Sequence, residues 1–403
     1  MSNKAKVMVL TVSILIISFI VLSGVGVRAS TNNGGAYKQL GVYSEVLSRI
    51  RSEYVEDPNV GLVTDGALHG LLESLDANSS YLSPAEYKKY KERKSDGKAN
   101  IGAFLSKRFG YAAVVSVVPG GPADKAAIES GDIIEAIEGK STREMSLAEI
   151  QNIVTGQAGS TLSLSIVRAR RAEPQKVTVT RDVVTTPPIG ERMLEAGIGY
   201  VKADTLSKGK AQEIAAKIKD VQHQGAKKLL LDLRNCAEGE ENEGIAVANL
   251  FLSRGLITYL QGQKYARETF TADAQKAITN LPLVVLVNRG TAGAAEIVAA
   301  SVLENARGDV LGDKTFGVGS IQKVIEVPDG SALILSIAKY YTPGGKAIQD
   351  SAVTPNIMVA SDDDSLLPDD DEDSTRPVQE KKQPNKEDDQ LKRAIEVLKG
   401  RST

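Results

Sequence analysis

A short apolar segment, a tight turn and an alanine-rich segment follow one another in this 403-residue chain and most constrain its fold. Residues 283–287 (LVVLV) are apolar and rich in valine, which predicts a buried strand. Residues 288–290 (NRG) form a turn, and the good helix formers of residues 294–303 predict a helix that begins near Gly293 or Ala294. A strand, turn and helix in this order direct the first N–H groups of the helix at one point. That point favours negative charge, including the oxyanion of acyl transfer.

Two runs around this turn resemble the active-site signature of the C-terminal (tail-specific) processing peptidases. The runs are NRGTAGAAEI at residues 288–297 and TFGVGSIQ at residues 315–322. Members of that family are exported serine peptidases with a serine–lysine dyad, an embedded PDZ domain and a ClpP/crotonase-like α/β core. The resemblance places Gly293 at the nucleophilic serine and Val318 at the lysine of the family. Gln322 matches a glutamine that supports the lysine.

These two replacements predict that the chain is catalytically silent. A serine hydroxyl becomes a good nucleophile only when an adjacent base takes its proton. A lysine serves as that base only where burial depresses its pKa. Gly293 offers no nucleophile and Val318 accepts no proton. Because loss of the nucleophile lowers the turnover of a serine peptidase by about six orders of magnitude, the family resemblance does not by itself make this chain an enzyme.

A second departure lies in the loop that lends the family an oxyanion donor. The family's Asn-Pro-Gly-Gly run corresponds to residues 236–239 (CAEG), so the oxyanion region comprises Ala294, Glu238 and Gly239. Carboxylates at Glu238 and at the two residues after Gly239 would oppose a developing negative charge. The sequence therefore predicts a second, independent loss of catalytic function in this loop.

Two other side chains remain alternatives as displaced nucleophiles. Cys236 lies in the same loop, but a reactive cysteine needs a histidine or an electropositive setting, and glutamates follow it closely. Thr291 could act with Lys314 or Lys323 as its base, although it lies two residues from the serine position of the family. An active serine-type endopeptidase with displaced catalytic groups therefore remains an alternative function.

Residues 96–171 resemble a PDZ domain. The run SGDIIEAIEG at residues 130–139 is typical of such domains, and residues 161–168 alternate like a closing strand. A PDZ domain binds the C-terminus of another chain as an added strand, while a loop of backbone N–H groups captures the carboxylate. The resemblance places this carboxylate loop at Asn100, Ile101, Gly102 and Ala103. Asn100 replaces the first glycine of the family's loop, although asparagine also tolerates a positive φ.

The first 29 residues predict a signal segment or membrane anchor. Lys4 and Lys6 precede an apolar stretch at residues 7–27 that is just long enough to span a bilayer. The two lysines keep the N-terminus in the cytoplasm, so the bulk of the chain would be exported. We expect a protein of the bacterial periplasm or cell envelope, held by a single N-terminal transmembrane segment.

The chain is predicted to be an α/β multidomain protein with four further segments. Residues 361–387 are rich in acidic residues, lysine and proline, which predicts a disordered linker. Residues 388–403 contain a short amphipathic helix. The other two segments are a helical N-terminal region at residues 30–95 and a peptidase-like α/β core at residues 172–360.

Composition argues against several other functions. The formal net charge of −2 and the absence of tryptophan disfavour a nucleic-acid partner. The single cysteine and the two histidines, His69 and His223, are too widely spaced to suggest a metal site. We therefore expect neither a metal nor a cofactor.

Three functions are consistent with these features. The first is a silent relative of the processing peptidases that binds protein or peptide C-termini, or that regulates an active paralogue. The second is the displaced-site peptidase described above. The third is a structural subunit whose PDZ domain holds a partner. The resemblance also implies a possible homo-oligomer, and the N-terminal segment implies contact with a membrane.

Overall fold

The computed structural model describes residues 34–96, 99–168, 171–360 and 388–401. The chain divides into two compact units, residues 1–67 and residues 68–403. The described part of the first unit contains helix α1 (Gly34–Glu53) and the beginning of helix α2 (Val60–Glu73). Several large apolar side chains of α1 are exposed, among them Leu40, Tyr43 and Val46.

The second unit begins with the end of α2 and a short strand. Strand β1 (Ser80–Leu82) is followed by helix α3 (Pro84–Asp96). The predicted helical region at residues 30–95 also contains a strand, β1, which pairs antiparallel with residues 332–334. Three residues are too few to show a strand period, and the partner of this strand lies far along the chain.

The described part of the PDZ domain is a sheet with two short α-helices and a 3-10 turn at Thr142–Glu144. Its elements are β2 (Ala103–Arg108), β3 (Tyr111–Val117), α4 (Pro122–Lys125), β4 (Ile133–Ile137), β5 (Lys140–Ser141), α5 (Leu147–Val154), β6 (Thr161–Arg168) and β7 (Arg171–Thr180). The strand order is β2-β3-β4-β6-β7, with β5 beside β4, so β2 is an edge strand. Ser146 begins α5 by accepting a hydrogen bond from the Glu149 N–H. Because β7 runs to Thr180, the sheet extends beyond residue 171.

The rest of the second unit alternates strands and helices. Its elements are β8 (Gly190–Leu194), β9 (Ile198–Lys202), β10 (Thr205–Leu206), α6 (Lys210–His223), β11 (Lys228–Asp232), β12 (Glu238–Gly239), α7 (Glu241–Phe251), β13 (Leu256–Gln261), β14 (Glu268–Thr271), β15 (Leu283–Val287), α8 (Ala294–Glu304), β16 (Asp309–Gly312), β17 (Ser320–Glu326), β18 (Ala332–Tyr341), β19 (Ile357–Met358) and α9 (Asp389–Lys399). The predicted strand at residues 283–287 and the helix after it are confirmed as β15 and α8. This order of elements confirms the α/β multidomain class.

The main core sheet has the order β19-β16-β15-β11-β9-β8, and every neighbouring pair is parallel except β8 with β9. A parallel sheet is buried on both faces. Helices α6, α7 and α8 cover one face, where Ile214, Val247 and Val298 belong to the largest hydrophobic cluster. This layer places the start of α8 at the ends of the central strands.

Helix α9 packs on the other face of this sheet. Its Ala394 and Leu398 are fully buried in a cluster with residues of the central strands, including Leu230, Val284 and Leu286. The terminal carbonyls of the helix also have a partner, since Lys228 Nζ donates to Leu398 O at 2.7 Å. The C-terminal helix is therefore an integral layer of the core.

A second sheet completes the core and lies next to the loop that contains Val318, the predicted base position. Its order is β1-β18-β13-β14, with β17 beside β18. β17 begins at Ser320, directly after the loop that contains Val318. The antiparallel pairing of β17 with β18 fixes the far end of this loop.

Within the described ranges, no helix is long and apolar enough to cross a membrane. The predicted signal or anchor at residues 1–29 and the predicted linker at residues 361–387 both lie outside the described residues.

Candidate active site

Two asparagines fix the turn between β15 and α8. Asn288 Nδ2 donates to Asn235 Oδ1, and the Asn235 N–H donates to Asn288 Oδ1, each at 2.9 Å. The Gly290 N–H donates to the same Asn288 oxygen at 3.0 Å. A Cβ at residue 290 would lie 2.4 Å from Asn235 Oδ1 and 3.1 Å from Val115 O. Glycine is therefore required here, where the turn touches both the loop after β11 and the PDZ domain.

Gly293 retains the backbone shape of a nucleophile turn. It directly precedes α8 with a φ of 59° and a ψ of −120°. This sharp strand-to-helix geometry raises a nucleophilic side chain above the helix N-terminus in other hydrolases. The nearest atom to a Cβ built at this residue is Ala237 O, at 3.8 Å. A side chain at this residue would therefore meet no close neighbour, and glycine leaves this space empty.

Glu296 ties the two family positions together, a role that the sequence analysis missed. Its carboxyl accepts hydrogen bonds from the N–H groups of Gly293, Gly317 and Val318 at 3.0, 2.9 and 2.8 Å. The Thr315 hydroxyl donates to the same carboxyl group. Glu296 is fully buried, and burial raises its pKa to about 7. Its place three residues after the N-cap is the capping-box position, which is the one local signal that could have identified it.

Val318 lies in an apolar cluster formed by the PDZ domain and the core. The half-buried side chains of Val318, Phe316 and Phe104 pack against three buried residues, Val115, Ala237 and Ala292. Phe104 lies in β2 and Val115 in β3, so two strands of the PDZ domain contact this position. An uncharged side chain suits this site, since a charge in such surroundings would be desolvated.

The side chain of Gln322 is hydrogen-bonded without a lysine at residue 318. Its Nε2 donates to Ser320 O at 3.1 Å and to Ser320 Oγ at 2.9 Å. Asn78 Nδ2 donates to the same Ser320 hydroxyl at 3.1 Å. This polar group therefore joins the segment before β1 to the start of β17.

The predicted oxyanion region is assembled from α8 and β12. Ala294 is the first residue of α8, and β12 packs beside that helix. β12 pairs in parallel with β10, and Glu238 and Gly239 are exposed. The structure thus places the strand that carries Glu238 and Gly239 beside the helix that Ala294 begins.

The acidic residues after Gly239 serve the helix termini. Glu240 is the N-cap of α7, and Glu241 and Glu243 lie in its first turn. Glu243 also accepts hydrogen bonds from Gly209 N and Ala211 N, at 2.9 and 2.8 Å, at the start of α6. Negative charge stabilises both helix N-termini, which gives these carboxylates a structural reason to be present.

Neither alternative nucleophile is placed for catalysis. Cys236 is 1% exposed, and burial together with nearby carboxylates raises the pKa of its thiol well above the ordinary range. Thr291 is fully buried, and its hydroxyl donates to Leu233 O at 2.8 Å while accepting from Asn288 N at 3.0 Å. The two candidate bases, Lys314 and Lys323, are exposed.

The predicted carboxylate loop of the PDZ domain lies at the start of β2. Ile101 and Gly102 are buried, whereas Asn100 is exposed. The Gly102 N–H donates to Asn100 Oδ1 at 2.7 Å. Asn100 also forms an isolated antiparallel bridge with Asp182, just beyond β7. The loop is therefore bonded both to itself and to the segment that leaves the domain.

Among the described residues, no group of three or more histidine, cysteine and carboxylate side chains is arranged to hold a metal ion. His69 instead lies 3.4 Å from Glu86, measured from Nε2 to Oε2. The hydrogen bond with Glu86 raises the pKa of His69. Glu86 also accepts a hydrogen bond from the Ser83 hydroxyl. The carboxylate lies between the serine and the histidine, so this group is not a catalytic triad.

Comparison with known proteins agrees with these features. Residues 197–359 match the model of peptidase family S41, and residues 114–168 match a PDZ domain. A carboxy-terminal-processing protease of Bartonella bacilliformis is 31% identical over 335 residues, which cover 82% of this chain and 77% of the relative. The carboxy-terminal processing protease CtpA of Bacillus subtilis is 31% identical over 316 residues, covering 78% of this chain and 67% of the relative. The solved photosystem II D1 C-terminal processing protease superposes with a TM-score of 0.67 at 26% identity, covering 81% of this chain and 88% of its own.

The PDZ domain precedes the α/β core in the chain, and two of its strands contact the residues around the nucleophile turn. The same two domains are matched in the same order. The relatives align across both domains rather than over the core alone. The chain therefore belongs to peptidase family S41, as a homologue of the carboxyl-terminal processing proteases with an embedded PDZ domain.

Proposed function

We propose that this chain is a catalytically silent homologue of the carboxyl-terminal processing proteases. The observation that carries the proposal is the residue pair Gly293 and Val318, which stands where the family has its nucleophile and its base. Glu296 holds the N–H groups of both residues, so their positions are well defined. The burial of Cys236 and the committed hydroxyl of Thr291 argue further against a displaced site.

The PDZ domain supplies the remaining function in this proposal. It binds extended polypeptide segments of a partner, and through them the chain recruits substrates for, or regulates, an active peptidase. An edge strand at β2 supports this function, since such a strand offers unpaired backbone groups to an added strand.

The proposal predicts that the wild-type protein does not cleave an unfolded substrate above background. Incubation with denatured casein and analysis of fragments by mass spectrometry measures this directly. Specific cleavage that disappears in Cys236→Ala or Thr291→Val, with each variant shown to be folded by circular dichroism, would overturn the proposal and reveal a displaced nucleophile.

A restored dyad provides the matched comparison. The double variant Gly293→Ser, Val318→Lys is expected to gain little turnover, because Glu238 lies in the strand beside α8 and its charge opposes the oxyanion. Adding Glu238→Gly is expected to raise turnover by roughly tenfold or more, since it removes a carboxylate from the strand beside α8. Robust activity in the double variant that Glu238→Gly leaves unchanged would show that the loop does not face the site.

We further propose that the chain is exported across the cytoplasmic membrane of a bacterial cell. Lys4 and Lys6 before the apolar residues 7–27 support this location. The expected result is degradation by a protease added outside intact spheroplasts. Protection of the chain in intact spheroplasts, with degradation only after lysis, would contradict export.

A further inference from the structure

We propose that the side chain of Asn100 closes the carboxylate loop from within, so that ligands of this PDZ domain need no free C-terminal carboxylate. The ligand class is then an extended polypeptide segment, internal or terminal, that pairs with the edge strand β2. This inference rests on the proposed polypeptide binding and specifies the ligand at the same site. It revises the expectation from the sequence that this loop selects a free C-terminus.

The proposal rests on a hydrogen bond within the loop. The Gly102 N–H donates to Asn100 Oδ1 at 2.7 Å. The orientation of the Asn100 amide follows from this bond, because an N–H donor requires the oxygen of the amide. In a loop that captures an anion, such backbone N–H groups are the donors that face the ligand. An oxygen of the chain itself thus takes the place of a ligand oxygen.

The carbonyl groups of the loop are bonded to neighbouring segments, which fixes its backbone. Ile101 O accepts from Ala123 N at 2.7 Å, and Gly102 O accepts from Val118 N at 2.8 Å. Gly102 has a φ of 69°, and a Cβ on it would lie 3.1 Å from Pro122 Cδ. A carboxylate therefore reaches the Gly102 N–H only by displacing the Asn100 side chain, and the Asn100–Gly102 bond opposes that exchange.

The backbone of Asn100 is also anchored to the segment that follows β7. Asn100 N donates to Asp182 O at 3.0 Å, and Asp182 N donates to Asn100 O at 3.1 Å. This pairing limits the backbone movement that would withdraw the Asn100 side chain from the Gly102 N–H.

The test compares one peptide in two forms on the full chain and two variants. The probe is a fluorescent peptide that ends in small apolar residues, prepared as the free acid and as the C-terminal amide. The wild type is expected to bind both forms within about threefold of each other. Asn100→Ala frees the Gly102 N–H and is expected to bind the free acid about tenfold more tightly than the amide. Asn100→Asp is expected to weaken only the free acid, because its charge repels a carboxylate.

Asn100 is not among the residues with a positive φ, so alanine fits its backbone without strain. A wild type that prefers the free acid as strongly as Asn100→Ala does would overturn the inference and leave polypeptide binding intact. Binding of neither form by any of the three proteins would overturn polypeptide binding by this domain, and the inference with it. The Gly102 amide proton provides a ligand-free check, since its NMR shift is expected to move upfield in Asn100→Ala. An unchanged shift would contradict the hydrogen bond.

Discussion

Replacement of Glu296 by alanine is expected to lower the free energy of unfolding by roughly 3–5 kcal/mol. The substitution leaves the N–H groups of Gly293, Gly317 and Val318 and the Thr315 hydroxyl without their buried acceptor. Each unsatisfied buried donor costs about 1–3 kcal/mol, and water that enters the vacated volume recovers part of this loss. Denaturant unfolding followed by circular dichroism measures the change.

Glu296→Gln is the matched control because it keeps the shape of the side chain and one acceptor oxygen. We expect it to lose about half as much stability as the alanine variant. If Glu296→Ala had the same unfolding midpoint in denaturant as the wild type, these donors would have found other partners.

The wild type and Glu296→Gln should also differ in how their free energies of unfolding depend on pH. Burial raises the pKa of Glu296 to about 7, above its ordinary value of 4.5, so the folded state holds the proton more tightly than the unfolded state. The stabilisation from this group is therefore fully present below about pH 4.5 and is lost as the pH rises through about 7. A shift of this size corresponds to roughly 3 kcal/mol. This part of the pH dependence should vanish in Glu296→Gln, and an identical slope in both proteins would contradict the assignment.

Leu398→Asp is expected to lower the free energy of unfolding by about 4 kcal/mol or more. Leu398 is fully buried in the cluster that joins α9 to the core sheet. The substitution removes apolar packing and also places a carboxylate against Leu230, Val284 and Leu286, where it is desolvated. Released α9 would expose one face of a sheet that is otherwise covered on both sides. Thermal unfolding and the binding of a dye specific for apolar surface measure the two effects.

Arg393→Asp provides the matched control on the exposed side of the same helix. Arg393 pairs with Glu396 at i,i+3 spacing, and both side chains are more than half exposed. We expect this change to cost at most about 1 kcal/mol, because exposed pairs contribute little. Equal effects of the two substitutions would mean that α9 does not depend on its apolar face.

The sequence by itself determined the elements whose signals are local. The run at residues 283–287 and the helix formers after Gly293 predicted β15 and α8, because each segment is long enough to show its composition and period. The gapless match around Gly293 and Val318 predicted where the dyad of the family would lie, since such a match needs only the order of residues. The burial of Cys236 and the bonding of Thr291 had no such local signal.

Only the tertiary structure decided which of these residues meet and what surrounds them. Strand β1 escaped prediction because its hydrogen-bonding partner is far away in the chain. The Val318 cluster contains Phe104 and Val115 of the PDZ domain, and no periodicity in one segment reports a neighbour in another. The sequence also does not predict the Asn100–Gly102 hydrogen bond, although the two residues are close in the chain. An asparagine side chain can point in several directions, and the folded loop selects one of them. Burial and hydrogen-bond direction depend on the packing of distant segments, so residue order constrains them only weakly.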